Sequence, residues 1–153
     1  MNDLIEQRLR EDGVYVSTTV GISMRPMLRN RRDRIVVRAV TEGECLARYD
    51  LPLYRYPNGR YVLHRIIGVR ENEYLIRGDN TYVVEHIPKT WILGVVSEFY
   101  RGDRHWSTDD RRYRRYAAVW NAIYPLRALL HLPRALAGRV YRKMFGEKRK
   151  KKS

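Results

Sequence analysis

Apolar positions along this chain recur with two different periods, and the change of period divides it. Between Val14 and Tyr100 they come in short β-branched and aromatic runs bounded by glycine, proline, asparagine and charge, the pattern of strands. Val14 to Val20, Arg34 to Val40, Asp50 to Tyr54, Tyr61 to Val69, Tyr74 to Arg77 and Trp91 to Tyr100 each predict a strand. Pro52 lies inside the third run, and proline donates no ladder hydrogen bond, so that strand is expected to be interrupted at its edge by the proline. Pro57-Asn58-Gly59 predicts the hairpin turn into the fourth. Ahead of the first strand, Leu4, Ile5 and Leu9 fall at near-helical spacing over residues 2–12, with Gly13 as the stop, which predicts a short N-terminal helix.

From residue 113 the period lengthens. Leu129, Leu132, Leu136, Val140 and Met144 recur at three- and four-residue steps, with Arg127, Arg134, Arg139 and Arg142 largely off that stripe. Pro125 and Pro133 should divide this amphipathic helix into segments. The intervening residues 102–112 mix glycine, serine and charge and predict a linker. The expected organisation is therefore a mainly β domain over 1–101, a linker over 102–112, and a basic amphipathic helical tail over 113–153.

A length of 153 residues supports one ordinary core. The net charge of +14 would suggest a nucleic-acid partner if it were spread over a face, but it is not. Residues 1–110 hold 17 Lys/Arg against 16 Asp/Glu, while residues 111–153 hold 14 against Glu147 alone. No specific nucleic-acid binding is expected of so neutral a body. The tail, apolar on one side and basic on the other, is expected to lie on an anionic membrane surface. Asp3, Glu6, Arg8, Arg10, Glu11 and Asp12 leave no apolar run for a secretory leader, and no window offers the ~18 apolar residues of a membrane span. The single cysteine, Cys45, allows no intramolecular disulfide and is expected to be a small buried hydrophobe. Histidines and acids show no metal-ligand spacing, so neither metal nor other cofactor is expected. Together these features predict a cytoplasmic protein with peripheral contact to a membrane.

Candidate chemistry begins at Gly21-Ile22-Ser23-Met24-Arg25-Pro26, directly after the first strand. A permissive glycine before the serine and a rigid proline after it can hold one hydroxyl and its own N–H in a fixed presentation, as a nucleophile requires. Three further boxes follow in order: Asp33-Arg34-Ile35-Val36-Val37, then Tyr61-Val62-Leu63-His64-Arg65-Ile66-Ile67-Gly68, then Arg77-Gly78-Asp79-Asn80. This ordered set resembles the signal peptidase/LexA superfamily of serine peptidases, and the likeness covers roughly residues 13 to 100. The resemblance implies that superfamily's β-fold, with Ser23 as nucleophile. Arg32 stands where the family usually has glycine, and Gly21 stands where many signal peptidases have a second serine that donates to the oxyanion. Met24 and Pro26 are expected to be walls of the site.

Many enzymes of this superfamily use a deprotonated lysine as base, yet Lys89 is the only lysine in residues 1–142 and falls outside the base-bearing strand. Arginine never gives up its proton. The base position reads His64-Arg65, which is similar to the endoplasmic-reticulum and archaeal type of signal peptidase, where histidine replaces lysine. Neutral imidazole can act near pH 7 without extreme burial, so His64 is the expected general base. Its ring needs a carboxylate to fix the tautomer, and the resemblance offers two, Asp79 and Glu85; either can orient it. His86 is an unassigned competitor, and His105 and His131 are expected at the surface.

The function this predicts is a serine endopeptidase that cleaves a peptide or protein substrate, a leader or signal-like segment, bound as an added strand. One alternative is a self-cleaving LexA-like regulator. Only 22 residues precede Ser23, too few for the DNA-binding domain of such proteins, and the Ala137-Gly138 pair lies in the tail rather than upstream. The other is a peptide-binding module with an impaired site.

Overall fold

A computed structural model describes residues 3–131. The lysine-rich end and the stripe positions Leu132, Leu136, Val140 and Met144 lie outside the described residues. Helix α1 (Asp3–Glu11) buries Leu9 and packs Ile5 against the same core. It stops at Gly13, whose φ of +70° reverses the chain into the first strand.

Nine strands follow: β1 (Val14–Thr18), β2 (Arg34–Ala39), β3 (Pro52–Arg55), β4 (Tyr61–Leu63), β5 (Arg65–Val69), β6 (Glu73–Arg77), β7 (Glu85–Pro88), β8 (Ile92–Arg101) and β9 (Arg104–Ser107). All pair antiparallel. The larger sheet runs in the order β1-β2-β8-β3-β4, with β9 added beside β8, and curls into a half-barrel. The smaller runs β5-β6-β7. The protein is mainly β, as the periodicity predicts, and its helices stand at the two ends of the described chain.

Several expectations change. The run Tyr61 to Val69 is two strands, β4 in the large sheet and β5 in the small one, and the break falls at His64. Strand β3 lies between β8 and β4 and begins only at Pro52. Pro52 is tolerated there because it is the first residue of the strand, and pairing with β4 begins one residue later, at Leu53. Residues 104–107, expected within a linker, form β9 on β8, and the stacking of Trp106 on Phe99 gives that strand its apolar anchor. Cys45 is exposed, not buried; the Lys89 ammonium lies 3.9 Å from its sulfur.

Two apolar clusters fill the body. Leu9, Leu28, Val37, Leu53, Phe99 and Tyr113 belong to the one beneath the large sheet, and Tyr54, Ile66, Tyr74, Ile76 and Ile87 to the one beneath the small sheet. The chain divides into two compact units between Ala118 and Val119. Helix α2 (Arg111–Ala122) crosses that boundary, and within the first unit it buries Tyr113 and Ala117. In the second unit, residues 124–131 are helical after a turn at Ile123, with Pro125 in the first helical turn, where its missing N–H is harmless. Val119, Ile123, Leu126 and Leu130 recur there at four- and three-residue steps and are exposed, as is Leu129. The Arg127 guanidinium lies 3.7 Å from the centre of the Trp120 ring. Among the described residues no helix is long and apolar enough to cross a membrane.

Candidate active site

The chain leaves β1 at Thr18 and returns to β2 through a loop held from inside by Asp33. That carboxylate is fully buried and accepts the Arg29 backbone N–H at 2.7 Å and the Arg29 guanidinium at 2.7 and 2.9 Å. The Asp33 carbonyl accepts the Thr19 N–H at 2.9 Å, tying the two ends of the loop together. Among the side-chain-bearing residues of this loop the left-handed one is Arg31, at φ +55°, so Arg32 needs no glycine-like backbone. Gly21 does: its φ of +104° is one that side-chain-bearing residues rarely adopt, and its N–H donates to Asn30 Oδ1 at 2.8 Å. A serine at that position would be strained. Met24 is buried and lines the cleft described below, whereas Pro26, after a cis peptide, is exposed.

His64 occupies the gap where the chain passes from one sheet to the other, and its ring is buried. The Nδ1 atom lies 3.0 Å from Glu85 Oε2. A carboxylate only accepts, so Nδ1 carries the proton and Nε2 is left with its lone pair. The Tyr54 hydroxyl, 3.3 Å from Nδ1, donates to the same Glu85 oxygen at 2.5 Å. Burial acts to raise the Glu85 carboxyl, but hydrogen bonds from Tyr54, His64 and Tyr56 outweigh it and hold the group below the ordinary glutamate range. Burial first, and then the Glu85 carboxylate, push the Tyr54 phenol well above its ordinary value, so it stays a donor. Tyr54 was not among the residues expected from sequence. The available signal was a tyrosine in a core strand, whose hydroxyl must find a partner.

The second carboxylate is committed elsewhere. Asp79 Oδ1 and Oδ2 accept Arg65 Nε and Nη2 at 2.7 and 2.8 Å, a bidentate pair with both side chains buried. Tyr113 accepts Arg65 Nη1 at 2.8 Å, and the Tyr116 hydroxyl lies 3.3 Å from Asp79 Oδ2. Burial opposes the Arg65 charge, yet Asp79 more than offsets it and the guanidinium is held above its ordinary value. This pair clamps the residue next to His64 to the turn at Asp79. Removing one partner strands a buried charge, so Asp79→Ala should lower stability by about 3–5 kcal/mol. A urea denaturation midpoint checks this; an unshifted midpoint would contradict it.

The Gly78-Asp79-Asn80 turn is stitched to the serine turn. Asn80 N–H donates to Ser23 O at 2.7 Å and Asn80 Nδ2 to Ile22 O at 3.3 Å. A Cβ at Gly78 would stand 2.8 Å from Ser23 O and 3.1 Å from His64 Cδ2, so only glycine lets the serine backbone and the imidazole edge bearing Nε2 approach this closely. Ser23 and His64 line one cleft of about 520 Å³, bordered by β1 on one side and β4 on the other. The Ser23 hydroxyl makes no hydrogen bond to a described residue. Of the other histidines, His86 pairs with Glu73 at 2.9 Å on the far side of the alternation that points Glu85 inward, and His105 pairs with Glu98 at 3.0 Å. What this arrangement can do is present a hydroxyl beside an imidazole whose acceptor nitrogen is free and whose donor nitrogen is fixed by an acid.

No family model matches the chain, and no curated protein matches it.

Proposed function

We propose that this chain is a serine endopeptidase of signal-peptidase type, with the finer fold of the signal peptidase/LexA superfamily. The observation that carries the reading is the meeting at Gly78 of the Ser23 backbone and the His64 ring, with Glu85 behind that ring. In this reading an extended peptide lies between the edges β1 and β4 and offers its carbonyl to Ser23 Oγ. As the peptide seats, Oγ closes on His64 Nε2; such contacts are often long before substrate binds. Nε2 takes the hydroxyl proton, Glu85 stabilises the imidazolium, and the Ser23 N–H faces the developing oxyanion. The imidazolium then protonates the leaving amine, and a water activated by the same nitrogen releases the acyl group. Mass spectrometry of a peptide library incubated with the protein and with Ser23→Ala tests it. Cleavage only of its own chain would favour the LexA-like alternative, and binding without cleavage the impaired module.

We further propose that the C-terminal segment rests on an anionic membrane surface. Exposed Val119, Ile123, Leu126, Leu129 and Leu130 supply apolar area, and residues 111–153 supply 14 Lys/Arg against Glu147. Near an anionic leaflet each cation contributes about 1 kcal/mol. Full-length protein should float with anionic vesicles, be partly released by high salt, and lose about tenfold or more of its binding in Leu126→Asp/Leu130→Asp. Equal flotation with neutral vesicles, or none with anionic ones, would contradict it.

A further inference from the structure

The cleft that holds Ser23 and His64 is walled by apolar and hydroxyl-bearing side chains, and among its described lining residues Arg60 alone carries a permanent charge. Arg38, Arg55, Arg65, Arg70 and Arg114 each meet a carboxylate. Arg60 meets none among the described residues; it is exposed, and its guanidinium lies 5.2 Å from the centre of the Tyr56 ring. Its backbone is fixed by the hairpin, since Arg60 O accepts the Tyr56 N–H at 2.9 Å and Arg60 N–H donates to Asn58 Oδ1 at 3.1 Å. A cation on a backbone held by the hairpin therefore lines the cleft, and no carboxylate of the described residues pairs with it.

Its distance from the chemistry follows from strand geometry. Arg60 and His64 flank β4, and the alternation of Tyr61, Val62 and Leu63 between them, with Tyr61 and Leu63 packed on one cluster and Val62 on the other, sets both flanking residues on the side of Val62. Four residues of extended chain span roughly 13 Å. A peptide lying beside β4 advances by the same rise, which sets its residue about four positions from the bond at Ser23 against Arg60. A neutral or basic residue there would cover or repel an unpaired guanidinium, whereas a carboxylate would pair with it in the fork geometry that arginine favours.

We propose that Arg60 is a specificity-determining residue that selects peptides with an acidic side chain about four residues from the bond presented to Ser23. The assignment rests on the peptidase reading above and names the class of substrate for it. Shielding of the Tyr56 ring is the competing role for Arg60, and that role would change stability without changing preference at any one position.

The test is cleavage-site profiling of the full-length protein on a mixed peptide library at low salt, read by mass spectrometry, with Arg60→Glu and Ser23→Ala beside the wild type. Aspartate and glutamate should be enriched about fivefold over their amides at one position, three to five residues from the cut. Arg60→Glu should exchange that preference for lysine and arginine at the same position and leave the others alone. A profile without acidic enrichment there, or one that Arg60→Glu does not move, overturns the assignment and leaves the peptidase reading standing. Absence of any Ser23-dependent cleavage overturns the peptidase reading instead. Arg60 is then judged on fluorescence binding of extended peptides, scanned with glutamate or lysine, to the Ser23→Ala protein. A glutamate preference reversed in Arg60→Glu upholds it, and equal affinities overturn it.

Discussion

Ser23→Ala should reduce peptide cleavage by about a thousandfold or more while leaving the fold intact. Removing the nucleophile of a serine hydrolase leaves only what binding and the oxyanion donors supply. The stability half of the expectation follows from what Ser23 does with its backbone. Its carbonyl accepts the Asn80 N–H at 2.7 Å, a bond that alanine keeps. Its hydroxyl has no hydrogen-bond partner among the described residues, so truncation strands no buried donor or acceptor. The unfolding midpoint should therefore move by no more than about 0.5 kcal/mol. Cleavage that persists in the variant, after a contaminating protease is excluded, would remove Ser23 from the mechanism.

How far the site was legible follows from which of its contacts are local. The serine turn could be read because glycine and proline constrain the backbone within a few residues, and Gly21 does take the left-handed conformation that only glycine holds easily. Counting could show only that Lys89 is the sole lysine in residues 1–142, and the role this leaves to His64 belongs to the proposal. The choice between Asp79 and Glu85 could not, because it depends on where Arg65 points, and a strand pattern places a residue on a face without naming its partner. A hint was present: an arginine beside Ile66 and Ile67 must find an acid if it is buried, and Asp79 is the acid it finds. Tyr54 reaches Glu85 across 31 positions of chain and two sheets, a contact no local pattern encodes. Strand β7 follows four residues without regular structure and is itself only four residues long, and β9 is four long, too short for alternation to stand out. The split of Tyr61 to Val69 at His64 was hidden for the opposite reason, since one unbroken apolar run fits a single long strand.

Loss of the base should match loss of the nucleophile, and its pH dependence should identify it. His64→Ala should cost about a thousandfold or more in cleavage, because groups that act as one unit fail together. In the wild type, activity should fall on the acid side, because a protonated imidazole can no longer accept a proton from serine. Acid unfolding makes a different signature. The Glu85 carboxyl is held below its ordinary value in the fold, so the stability it contributes is complete above the unfolded carboxyl's range, near about 4.3, and is lost only as the pH falls further. Glu73, also held low, and Glu44, held down to about 2, follow the same sign. A decline that begins well above that range therefore reports on histidine and not on the fold. Glu85→Gln separates the acid's role from the base's. It should slow cleavage roughly 10²–10⁴-fold. Asp79→Asn should slow the chemical step far less, since both oxygens of Asp79 face Arg65 and neither faces His64. A flat profile from about pH 5 to 8 would exclude a histidine base. A cleavage rate that falls in Asp79→Asn and not in Glu85→Gln would transfer the orienting role to Asp79.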